Sequence, residues 1–328
     1  MTFLLLALSF ALIVAGAALF TNSVEWLGHR MDLGQSAVGS LLAAVGTALP
    51  ESTIPIVAVL AGAEGEEVAI GAIIGAPFML ATVAMLLVAT SALVFRERRD
   101  QGREIDVKRG PVRRDFAFFL PSFAAGIALG QFDAKALHLA GAVALILVYA
   151  IYVRRTVKGG GAAEAEEELK PLTFDTSKDD PPNTFQIVAQ VVVALALIIG
   201  GAELFVEELK KVAEETGVSA LVLALIIAPL ATELPEKLNS VIWMRRGKDM
   251  LAIGNITGAM AFQATIPVAL GLTVTDWQLD KFATAAGVLG LAGGALALWR
   301  LERGRMGGPA ALAWASMFLA LVVFVAVG

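Results

Sequence analysis

Residues 46–53 read GTALPEST and residues 231–238 read ATELPEKL, each inside a long apolar run. In both, a threonine is followed three places later by proline and then by glutamate. Proline has no N–H, and its ring clashes with the carbonyl four residues back. The carbonyls of Gly46 and Thr47 before Pro50, and of Ala231 and Thr232 before Pro235, are therefore expected to lose or weaken their helical partners. Glu51 and Glu236 add a carboxylate one residue beyond each proline. Oxygen donors of this kind suit hard cations such as Ca2+ or Na+, not a soft metal. A kinked, purely structural span with a protonated glutamate is the alternative. A charge at mid-membrane depth costs about 2.5 kcal/mol or more, and its occurrence twice, at matched places beside prolines, favours the cation reading.

The two stretches belong to longer copies. GAALF at 16–20 answers GAELF at 201–205, and Gly16 to Gly201 and Glu51 to Glu236 are both 185 positions apart (201 minus 16; 236 minus 51). Further on, AIGAIIGA at 69–76 answers AIGNITGA at 252–259, at an offset of 183 (252 minus 69). A shared order of landmarks at nearly constant offset marks an internal repeat.

The surroundings are of bilayer composition. The 328 residues are 57% hydrophobic and 17% charged, with the apolar residues in long runs. A transmembrane helix needs about 20 mostly apolar residues. Apolar length and polar breaks mark ten spans, near 2–20, 34–60, 67–95, 114–131, 136–153, 185–206, 217–243, 250–273, 280–298 and 309–327. The first is expected to be a retained span and not a removed signal peptide, since no basic region precedes it. The expected fold is an all-α integral membrane protein of about ten transmembrane helices in two five-helix halves: 1–153, a polar Gly-, Glu- and Asp-rich linker at 154–184, and 185–328.

Lysine and arginine orient it. The connection 96–114 holds eight of them, the linker begins with Arg154, Arg155 and Lys158, and later connections hold Arg245, Arg246, Lys248, Arg300, Arg303 and Arg305. The opposite connections are poor in basic residues. Both termini are thus expected outside and the linker in the cytoplasm of a cell membrane. An odd number of spans per half inverts the second half relative to the first, the plan of secondary transporters whose site lies between the copies.

Other classes have little to be built from. No cysteine is present, and the histidines are His29 and His138, which leaves no zinc centre or histidine base. The net charge of −5 with no basic, aromatic-interleaved face argues against nucleic acid. No GxxxxGK(S/T) phosphate-binding loop occurs, so ATP-driven pumping has no visible engine, and no paired nucleophile and base indicates an enzyme. The expected partners are inorganic cations and the lipid bilayer, with no cofactor.

Further polar residues in the apolar spans need partners. Glu233 is a third carboxylate, paired with Ala48 in the first copy, and is read as a proton carrier beside a dication. Asn255 and Gln263 lie eight apart, about two turns on one helix face, and are candidates to line a cation path. The glycines of GAIIGA and GNITGA permit close helix approach. Trp26, Trp243, Trp277 and Trp299 fall near span ends, as interfacial anchors do.

With GTALPES and ATELPEK each followed by AIGxxxGA, the chain resembles the cation/Ca2+ exchanger superfamily, and within it the membrane region of the Na+/Ca2+ exchangers, over both halves. The resemblance implies two alpha-repeats, with Glu51 and Glu236 as Ca2+ ligands and the carbonyls of Thr47 and Thr232 beside them. The chain departs from the family pattern at Ala48 and Glu233, Gly71-Ala72, Gly75-Ala76-Pro77 and Gly258-Ala259-Met260, and at Leu80 and Gln263. These lost oxygens belong mainly to the family's Na+ and ancillary sites. The resemblance implies a secondary cation antiporter exchanging Ca2+ for Na+ or H+, with the balance toward H+. A monovalent cation/H+ antiporter, another divalent-cation antiporter and a non-transporting degenerate homologue are the alternatives.

Overall fold

The computed structural model describes residues 1–30, 43–158, 170–175 and 182–327, with the side chains of 43–50, 231 and 234–236 among those outside the description. Long apolar runs become helices because a helix meets its own backbone hydrogen bonds where no water can. The described helices are α1 (Thr2–Arg30), α2 (Ala43–Leu60), α3 (Ala63–Met79), α4 (Met85–Val94), α5 (Arg109–Leu129), α6 (Lys135–Lys158), α7 (Thr184–Thr216), α8 (Ala220–Thr232), α9 (Leu234–Arg245), α10 (Asp249–Gln263), α11 (Ile266–Val274), α12 (Lys281–Glu302) and α13 (Gly308–Val327). Seven stretches among the described residues are long and apolar enough to cross a membrane, including the composite runs Gly65–Val94 and Asp249–Val274.

A π-helical turn at Leu80–Ala84 joins α3 to α4, three residues past Pro77. In it the Thr82 hydroxyl donates to the Phe78 carbonyl at 2.6 Å. This composite helix lies in the interior, where Ile74, Phe78, Leu80, Met85 and Val88 pack with Phe116, Phe119, Phe123, Trp277 and Trp314. A second core joins Ile54, Ala58, Ala69 and Ala72 to Ala202, Phe205, Ala224 and Ala228. Outward faces are apolar too: Val143, Ile146, Leu147, Val192, Leu312, Leu319 and Val323 are exposed, as side chains facing lipid are.

Glycines set the closest approaches. A Cβ on Gly71 would lie 2.3 Å from the Leu221 carbonyl oxygen, and one on Gly75 2.1 Å from that of Leu225, so α3 and α8 touch backbone to backbone. The α1–α7 pair is reciprocal. A Cβ on Gly16 would meet Ile198 Cγ1 at 2.8 Å, and one on Gly201 would meet Ile13 Cγ1 at 2.9 Å.

Connections gather at two ends. At one, the 96–106 connection meets the second half: Arg99 pairs with Asp249 at 2.6 Å, the Ile105 N–H donates to the Gly304 carbonyl, and Arg305 pairs with Glu104 at 3.0 Å. At the other, Leu279 N–H donates to Gly130, Lys135 donates to the Thr275 carbonyl at 2.8 Å, and Lys210 to that of Ala61 at 3.3 Å.

Three expectations change. Residues 170–175 are not free linker: Leu172 is buried beside Trp26 and Ile187, the Trp26 indole donates to the Lys170 carbonyl at 2.9 Å, and the Phe174 N–H donates to Gln190. Trp277 is no interfacial anchor. It is wholly buried, its indole N–H donates to the Gly126 carbonyl at 2.9 Å, and its ring covers Gly271. The first-copy helix is also not broken at Pro50, since α2 runs through it. One proline removes one ladder bond, which the flanking turns tolerate.

Candidate functional site

In the second copy the break is real and lies at Glu233, with φ −97° and ψ 4°, where α8 ends and α9 begins. Pro235 then falls in the first turn of α9, where its missing N–H has no role to play. The break thus precedes the proline, and Glu233 is the residue that turns the corner.

Against this corner packs α2. Glu51 is 9% exposed. With Ile54 of α2, Ala72 and Ala76 of α3, and Ala228, Pro229 and Thr232 of α8, it lines a small cavity of about 10 Å³. The alanines and Ile54 make the walls apolar, so the Glu51 carboxylate and the Thr232 hydroxyl are the polar groups among its lining side chains. Thr232 Oγ1 donates back to the Ala228 carbonyl at 3.3 Å, which leaves its lone pairs open to a cation. The cavity brings the first copy's glutamate to the second copy's broken helix.

Glu233 has a different setting. It is wholly buried; its Oε2 accepts from Lys237 Nζ at 2.7 Å and its Oε1 from Gln263 Nε2 at 3.1 Å. Lys237 Nζ also donates to the Pro229 carbonyl at 3.2 Å. The carboxylate read as a proton carrier is thus paired with the Lys237 side chain, one helical turn on.

The other sequence candidates sort as follows. Gln263, 2% exposed at the end of α10, reaches Glu233, while Asn255 on the same helix is partly exposed. Gly46 and Thr47 lie in α2 and Glu236 in α9, with their side chains outside the description. Among the described residues no three of His, Asp and Glu converge on a common metal position.

Sequence reasoning overlooked Lys237. Its signal was the i, i+4 spacing from Glu233 inside an apolar run, which places acid and base on one helix face. It overlooked Asp115 as well. Buried at 3% exposure, Asp115 accepts from Thr257 at 2.7 Å, Tyr152 at 3.2 Å and Arg114 at 3.1 Å, tying α5 to α6 and α10.

Known proteins share this architecture. The crystal structure of the H+/Ca2+ exchanger CAX superposes with a TM-score of 0.73 at 20% identity, covering 98% of this chain and 81% of that one. The sodium-calcium exchanger NCX_Mj superposes at 0.60 and 20% identity, over 98% and 99%. CaxA of Alkalimonas amylolytica, named as a candidate antiporter, is 27% identical over 283 residues, 84% of this chain and 81% of its own. The inner membrane protein YrbG of Escherichia coli is 25% identical over 282 residues, 85% and 82%. The sodium/calcium exchanger protein model matches residues 1–157 and 187–327, nearly all of both halves, and the chain belongs to that family of membrane cation exchangers.

Proposed function

We propose that the chain is a secondary active antiporter that exchanges Ca2+ for Na+ or H+ by alternating access, holding the cargo ion between Glu51 and Glu236 near mid-membrane. The observation that carries this reading is the cavity in which Glu51 of α2 faces Thr232 and the helix corner of the second copy. Main-chain carbonyl oxygens of Gly46, Thr47 and Thr232 complete an oxygen-only set for a hard cation. With Glu233 neutralised by Lys237, the two remaining carboxylates match the charge of one dication. That CAX is described as an H+/Ca2+ exchanger and NCX_Mj as a sodium-calcium exchanger supports Ca2+ as cargo and leaves both counter-ions for the assay.

The ten spans act as two inverted five-helix repeats. The reciprocal contacts of Gly16 and Gly201 across α1 and α7 support this, because an exchange of copies leaves them unchanged. Both termini lie outside and the linker in the cytoplasm, with the arginine-rich end of the molecule.

The test is flux in proteoliposomes loaded with 45Ca2+ under an imposed Na+ or H+ gradient. Uptake is expected to follow one gradient and to fall at least about 100-fold in Glu51→Gln, since losing one charged oxygen ligand removes several kcal/mol of binding. Uptake unchanged in Glu51→Gln would sink the assignment. A Ca2+-independent flux of Na+ or K+ against H+ would replace the cargo with a monovalent ion.

A further inference from the structure

We infer that Lys237 is a tethered cation: its ammonium fills a monovalent-cation subsite formed by the Glu233 carboxylate and the Pro229 carbonyl and flanked by Gln263, so that no mobile alkali ion binds there. The subsite is defined by its own geometry. The inference rests on the antiporter reading only for what it means for exchange.

The side chains of Glu233, Lys237 and Gln263 are all buried, at 0%, 3% and 2% exposure. Nothing in the burial of a long lysine requires this. A lysine on a membrane helix ordinarily extends its stem toward the interface and keeps its head in water. Lys237 instead turns back one helical turn, where its Nζ sits 2.7 Å from Glu233 Oε2 and 3.2 Å from the Pro229 carbonyl. The helix corner makes that position. Glu233 lies between α8 and α9, so its carboxylate and the last carbonyls of α8 converge where a continuous helix would have used them itself.

The oxygens that meet the ammonium, one from a carboxylate and one from a main-chain carbonyl, are of the kind a compact monovalent cation seeks. Gln263 Oε1 is buried with no hydrogen-bond partner, while its Nε2 is spent on Glu233. An acceptor is thus left over beside a carboxylate already held by a cation. Stability alone gives little reason for such a pair, since a buried ion pair is commonly matched or bettered by apolar side chains of the same volume. The subsite adjoins the cargo cavity directly. Pro229 lines that cavity and its carbonyl accepts from Lys237, and Thr232, the residue before Glu233, faces it too. A charge fixed there cannot leave, so the transport cycle runs with one fewer mobile cation than the oxygens would otherwise hold.

The test is thermal unfolding of the purified full chain in detergent, without Ca2+, at constant ionic strength, with NaCl or KCl replacing choline chloride. In Lys237→Ala the vacated oxygens are expected to take the alkali ion, giving a saturable rise in Tm over choline at least about 2 °C larger than any rise the wild type shows. The wild type and Lys237→Arg should lack this increment, and Glu233→Gln combined with Lys237→Ala should abolish it. Should Lys237→Ala fail to fold in choline, recovery in NaCl or KCl is the same positive result, and Lys237→Gln is read by the same criteria. Two outcomes overturn the inference: no alkali dependence in either neutral variant, or the same dependence in the wild type. Neither bears on the antiporter reading, which stands or falls on Ca2+ flux and its loss in Glu51→Gln.

Discussion

Asp115 lies in the second turn of α5 with 3% exposure, and three donors from three places in the chain meet its carboxylate. Removing one of them leaves a buried acceptor short, which costs about 1–3 kcal/mol. Thr257→Val is therefore expected to lower the unfolding midpoint in detergent by a few degrees, and Tyr152→Phe, whose bond is the longer at 3.2 Å against 2.7 Å, by less. A reversed order would show that the Thr257 hydroxyl is not the principal partner. At this scale the sequence exposed only part of the pattern. Glu51 and Glu233 stand out because an acid in an apolar run is expensive, and both prove buried. Lys237 looked like the polar end of a span, and Asp115 like one more charge among the flanking arginines. What distinguishes them is the direction in which the side chain turns: Lys237 turns back to partners 4 and 8 residues away, and Asp115 meets partners 37 and 142 residues away.

Helices were more legible than their irregularities. Apolar length marks the spans, and the small residues of GAIIGA foretell close packing. Gly71 and Gly75 indeed press α3 onto the carbonyls of α8. Gly258, at the matching place in the second copy, does not: a Cβ there would lie 3.7 Å from the Tyr152 hydroxyl. Gly75→Ala is expected to destabilise the protein by about 1–3 kcal/mol, the usual cost of overpacking, while Gly258→Ala should change stability by less than about 0.5 kcal/mol. Equal effects on Tm would contradict the packing. The π-helical turn after Pro77, the unbroken course of α2 through Pro50 and the corner at Glu233 were beyond the sequence, because a proline states that one hydrogen bond is lost and not where the chain absorbs it. Trp277 illustrates the same limit. A non-glycine residue at φ 48° is held only because Gly271 makes room for its ring and Gly126 accepts its N–H.

For the molecule as a whole, the arginine-rich connections are not merely a topological signal. Arg99 and Asp249 form a fully buried pair that fastens the 96–106 connection to the first turn of α10, and the Asp106 N–H donates to the same carboxylate oxygen at 2.9 Å. Breaking a buried pair by removing one partner costs about 3–5 kcal/mol, so Arg99→Met is expected to lower Tm markedly, and the added loss in Arg99→Met with Asp249→Asn should be small. Additive losses would mean that the two residues do not act as a pair. Orientation can be read cleanly because the chain has no cysteine. A single cysteine at Phe3 should react with an impermeant maleimide on intact cells, and one at Ala165 only after permeabilisation. The converse labelling would turn the molecule over. The pairing of α1 with α7 bears on leakage. Gly16 receives Ile198, and Gly201 receives Ile13, so the two long helices interlock like the halves of one strut, each from a different half of the chain. On the alternating-access reading proposed above, a tilt imposed on one is expected to be carried to the other, which leaves slippage, with both mouths unlatched at once, no separate joint on which to occur.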